Sequence, residues 1–68
     1  MTKKQLKLIK FVKDYIKANE VPPTYDEIKD HLNIKAKSQV HYMVRSLVKQ
    51  HKLYYQPNVA RSIWIPGG

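Results

Sequence analysis

Residues 22–48 read PPTYDEIKDHLNIKAKSQVHYMVRSLV, and the order of stops, caps and apolar positions within them decides the fold. Val21-Pro22-Pro23 ends any helix that precedes it, because proline disfavours the helical region for the residue before it. Thr24 and Glu27 then form a capping box: the hydroxyl takes a first-turn amide and the carboxylate reaches back to the cap. Ile28 and Leu32 supply the apolar side of a short second helix. Asn33 tolerates a left-handed turn, Ile34 returns to the core, and Lys35-Ala36-Lys37 makes the turn. A third helix begins around Ala36 to Ser38, carries Val40, Met43, Val44, Leu47 and Val48 on one face, and ends near His51.

Upstream, Thr2 and Gln5 form another capping box. Leu8, Ile9, Phe11, Val12, Tyr15 and Ile16 recur at helical spacing, with Lys3, Lys7, Lys10, Lys13 and Lys17 on the other side. The first helix is expected from about Lys3 to about Asn19. Downstream, Leu53-Tyr54-Tyr55-Gln56 and Ser62-Ile63-Trp64-Ile65 alternate with a period of two around a turn at Pro57-Asn58-Val59-Ala60-Arg61, which predicts a β-hairpin. A lone hairpin is unstable, so Leu53, Tyr55, Ile63 and Ile65 should pack on the helices. A third strand near Val21 would help. The fold expected is mostly α with a β-hairpin, a three-helix winged helix-turn-helix over residues 1–65, with 66–68 a flexible end.

The chain has 68 residues and no cysteine, so one small core must hold it without disulfides. Its hydrophobic share of 43% suits a folded domain. No apolar run approaches the ~18 residues of a membrane span, and the start lacks a signal-peptide layout, so the chain is expected to stay in the cytoplasm. Thirteen Lys and Arg against five Asp and Glu give a net charge of +8. Self-repulsion of that size points to a polyanionic partner, nucleic acid above all.

The third helix carries the functional reading. With its apolar positions facing the core, Ser38, Tyr42, Arg45 and Lys49 line the opposite face, and Gln39 and His41 flank it. All can hydrogen bond and none is acidic, unlike an ordinary solvated face that mixes Glu with Lys. Ser38, Gln39, His41, Tyr42 and Arg45 are the candidate base-contacting residues, since Gln matches adenine and Arg matches guanine in the major groove. Lys35, Lys37 and Lys49, with Arg61 at the hairpin tip, are the candidate backbone-contacting residues. The alternative for Arg61 is holding the turn through backbone hydrogen bonds. On the first helix, Lys3 or Lys4 would lie nearest the phosphates.

These residues resemble the amino-terminal DNA-binding domain of LexA-type repressors along nearly the whole chain. The resemblance lies in Thr2-x-x-Gln5, Pro22-Pro23-Thr24-x-x-Glu27-Ile28 with Leu32, then Leu47, Leu53 and Ala60-Arg61-Ser62-Ile63. It implies a winged helix-turn-helix that puts the third helix into the major groove of an operator. Repressors of this family carry a second, self-cleaving domain that dimerises them; neither property is expected of these 68 residues. Ala36-Lys37 stand where the family commonly has Ser-Pro. His41-Tyr42 replace a common acidic pair, which changes the pattern offered to bases. His51 and Ser62 replace glycines, implying local strain at both.

Catalysis and metal binding find little support. His31, His41 and His51 fall on different elements without cysteine partners, so no metal site is expected. Ser38 and His41 lie one turn apart without a carboxylate to orient the imidazole. Asp26, Glu27 and Asp30 suit the start of a helix. No glycine-rich loop is present, and no cofactor or small-molecule substrate is expected. The partner is DNA, with the duplex favoured, and a homodimer or protein partner is open. Two rivals remain: single-stranded or non-specific DNA, with Tyr42, Tyr54 and Trp64 as stacking platforms, and a protein-interaction winged helix.

Overall fold

The computed structural model describes residues 2–59 and 61–66, so Met1, Ala60 of the expected turn, and Gly67 and Gly68 of the expected flexible end lie outside the described residues. Local chemistry sets each helix boundary. The Thr2 hydroxyl accepts the Gln5 N–H at 3.2 Å, and the Gln5 side chain accepts the Thr2 N–H at 3.1 Å. This box opens α1 (Lys3–Asn19), which stops at Glu20 with φ 64°. Pro22 and Pro23 follow and are buried, so they fill the core as well as ending the helix.

Thr24 and Glu27 cap α2 (Tyr25–His31) in the same way, with bonds of 3.2 and 2.8 Å. Asn33 takes the left-handed conformation expected of it, at φ 56°. There the Ile34 N–H donates to the Lys29 carbonyl and the Asn33 N–H to the Asp30 carbonyl, a paired closure of the helix end. It turns the chain back and sinks Ile34 into the core. Helix α3 (Lys37–Lys49) starts from Ala36, whose side chain makes no cap bond. It ends in the same paired closure at His51, with φ 60° and Lys52 N–H to Leu47 O at 2.8 Å.

Leu8 and Val12 of α1, Ile28 of α2, Ile34, and Val40, Val44 and Leu47 of α3 form the core, closed by Leu53 and Ile63 from the segment after α3. Full burial of such a side chain contributes roughly 1.5–3 kcal/mol. Helix α2, the turn and α3 make a helix-turn-helix.

The two strands expected after α3 are largely absent. Among the described residues they reduce to one antiparallel bridge, Tyr54 with Trp64, joined by N–H···O bonds of 2.8 and 3.0 Å. In that register Gln56 faces Ser62, and the Ser62 hydroxyl takes over the ladder. It accepts the Gln56 N–H at 3.3 Å and contacts the Gln56 and Val59 carbonyls at 2.9 and 2.8 Å. Left-handed residues at Asn58 and Arg61 then end the extended run. The strain expected at Ser62 thus sits one residue earlier, at Arg61 with φ 53°. Alternation survives except at Ser62, which is buried beside Ile63: Leu53 and Ile63 are buried, Tyr55 and Ile65 half-buried, Tyr54 and Trp64 exposed. No bridge involves Val21 among the described residues.

Candidate nucleic-acid interface

Burying Val40, Val44 and Leu47 fixes the rotation of α3, and the opposite face must then meet solvent. Ser38, Gln39, Tyr42, Arg45 and Lys49 are all exposed, Tyr42 at 76%. His41, at the edge of this face, is half-buried, with its ring 4.1 Å from that of Tyr25 at an interplanar angle of 34°. Tyr25 in turn lies 5.6 Å from Tyr55. A cleft of about 490 Å³ runs beside the helix between His41, Arg45 and Lys49 on one wall and Tyr55 and Pro57 on the other. At the start of α3, a second cleft brings Lys4 next to Gln39 and Tyr42.

Sequence reasoning missed Tyr25. Its hydroxyl is buried with no hydrogen-bond partner among the described residues. Burial pushes the phenol above its ordinary pKa, the Tyr55 phenol adds to that, and Arg45 pulls it back. The ring therefore stays neutral and serves as a flat shelf under His41. No local signal marks it, because contact between residues 25 and 41 exists only after folding.

The backbone-contact candidates divide. Lys35 and Lys49 are exposed and, among the described residues, have no carboxylate within ion-pair distance. Lys37 stands 3.6 Å from Asp26, an exposed pair of little energetic weight. Arg61, also exposed, reaches across to the helices. Its guanidinium donates to Glu27 at 2.9 Å, the Tyr15 hydroxyl at 3.1 Å and the Pro22 carbonyl at 3.2 Å. Hydrogen bonds to Tyr15 and Glu27 hold its pKa above the ordinary arginine value. Arg61 thereby ties the bridged segment to α1 and α2, while its side chain remains 41% exposed. Glu27 is the hub of that tie, since the Tyr15 hydroxyl also donates to it at 2.9 Å.

Charge is divided along the chain. All five carboxylate side chains fall between residues 14 and 30, and α3 with everything after it has none. Among the described residues no cluster of three His, Cys, Asp or Glu could hold a metal ion, and no helix is long and apolar enough to cross a membrane. The family model described as LexA DNA binding domain matches residues 1–62. That span takes in both capping boxes, the helix-turn-helix, and the Glu27 and Arg61 that pair across it. The chain belongs to the LexA DNA-binding domain family, a non-catalytic, DNA-binding module of repressor-type transcription regulators.

Proposed function

We propose that the chain is a sequence-preferring winged helix-turn-helix that sets α3 into the major groove of duplex DNA. Ser38, Gln39, His41, Tyr42 and Arg45 face the base edges, and Lys35, Lys37 and Lys49 meet flanking phosphates. The observation that carries this reading is the exposed, acid-free outer face of α3. Ala36 leaves the first-turn amides of α3 without a side-chain acceptor, which suits a phosphate oxygen at the positive end of the helix dipole. The bridged segment serves as the wing, held by Arg61 from behind. A single module of this kind buries roughly 600–1,000 Å², so strong operator selection calls for a dimer or an attached partner. Such a regulator works in the cytoplasm, where it meets the DNA.

A second reading rests on the exposure of Tyr42, Tyr54 and Trp64, which offer stacking faces to unpaired bases. Competition binding at two salt concentrations separates the two. Preference for one selected duplex over random duplex supports groove reading. Equal or tighter binding to single strands removes it in favour of stacking.

A further inference from the structure

A groove of about 290 Å³ lies between α1 and the far end of the bridged segment, lined by Lys13, Ile16, Lys17, Trp64 and Ile65. It shares no residue with the clefts beside α3. Trp64 and Ile65 also fall beyond the matched span of residues 1–62. Its apolar residues are Ile16 and Ile65, both half-buried against the core, and Trp64, which remains 43% exposed. Lys13 and Lys17 project from α1 one turn apart. Among the described residues neither has a carboxylate within ion-pair distance, although Asp14 and Glu20 sit on or next to the same helix.

This combination selects an occupant. An apolar slot favours an aliphatic or aromatic side chain, and exposed tryptophan is typical of binding hot spots. Lysine stems can cover such a side chain while their ammonium groups stay in water, ready for carboxylates beside it. An isologous pairing with the same groove of a second copy fits poorly, because it would bring Lys13 and Lys17 against their counterparts. A nucleobase also fits poorly. The side chains lining the slot offer ammonium groups and one indole N–H to its acceptors, but none accepts from its N–H donors, which would lose water without replacement.

We propose that this groove docks an acidic segment of a partner protein, anchored by an apolar side chain, while α3 faces DNA. The surface is an interaction site separate from the DNA face.

Amide and indole NMR shifts of the full chain test this. The probes are a synthetic Glu-rich amphipathic peptide, the same peptide with its apolar residues changed to Ser, and an oligothymidine. The expected result is that only the first peptide shifts the Trp64 indole and the amides of Lys13, Ile16, Lys17 and Ile65. The double variant Lys13→Gln/Lys17→Gln should weaken that peptide about fivefold. Trp64→Ser should weaken it further, with both variants still folded by amide dispersion. Three outcomes overturn the proposal: shifts at Gln39, Tyr42 and Arg45 in place of the groove, equal binding of the Ser-substituted peptide, or a Trp64 response to oligothymidine alone. Failure of the duplex reading would appear in the DNA competition and leave the peptide shifts unchanged.

Discussion

The Glu27 carboxylate accepts hydrogen bonds from three parts of the chain: the Thr24 N–H, the Tyr15 hydroxyl and the Arg61 guanidinium. The Thr24 backbone bond, followed by those to Tyr15 and Arg61, lowers its pKa from 4.5 to about 2. A depressed carboxylate stabilises the fold above its unfolded value, and that contribution drains away as pH falls from 4.5 toward 2. Glu27→Gln should therefore be less stable than the parent at neutral pH. The gap should shrink by about pH 3, measured by denaturant midpoint. A gap that stays constant across that range would remove Glu27 from its role as hub. The roles proposed for Arg45 and Lys35 differ in kind. Arg45→Ala should cost about 1–3 kcal/mol on the preferred duplex and relax selection at one base pair. Lys35→Ala should weaken all duplexes alike and flatten the salt dependence by about one unit. Identical behaviour of the two variants would contradict the division between reading and anchoring. The acid-free α3 face that motivates these variants is legible in the sequence, because helical period alone sorts its residues. The tie made by Arg61 is not legible, since its partner Glu27 lies 34 residues away.

At the level of elements, the start of α3 is the weakest joint. Ala36 has an extended backbone, φ −113° and ψ 126°, suited to a cap, but lacks an oxygen to use there. Ala36→Ser should supply it and raise stability by about 1 kcal/mol. For a domain of this size that appears as a rise in Tm of roughly 4–8 °C in a thermal melt. No rise would mean that solvent already satisfies those amides. The helices could be read from sequence because their signals are local: two capping boxes, a proline stop and regular apolar spacing. Asn33 was legible as a left-handed turn for the same reason, whereas His51 was marked only through the family resemblance, as a site of strain. The segment after α3 was legible in its alternation and not in its hydrogen bonding. Its β-branched and aromatic residues favour strands, yet the Ser62 hydroxyl competes for Gln56 and replaces the rung beside the single bridge. A side chain that displaces a backbone rung leaves no mark on hydrophobic period.

For the whole molecule, the grouping of all five carboxylate side chains at positions 14–30 matters more than the total of +8. Residues 31–68, which include α3 and the bridged segment, carry no Asp or Glu, and neither do residues 1–13. On the proposed duplex reading, a polyanion would pull on both acid-free stretches and turn the acidic stretch away before any contact forms. Such steering acts on encounter, so the association rate should fall steeply with added salt while the dissociation rate from a preferred duplex changes less. Stopped-flow binding at several ionic strengths reads both, and equal sensitivity of the two rates would count against orientation before contact. Introducing one carboxylate into the acid-free stretch after α3, for example Lys52→Glu, should slow arrival without touching the α3 face. On that reading the placement of five acids would work as a compass needle, setting which side of the protein reaches a double helix first.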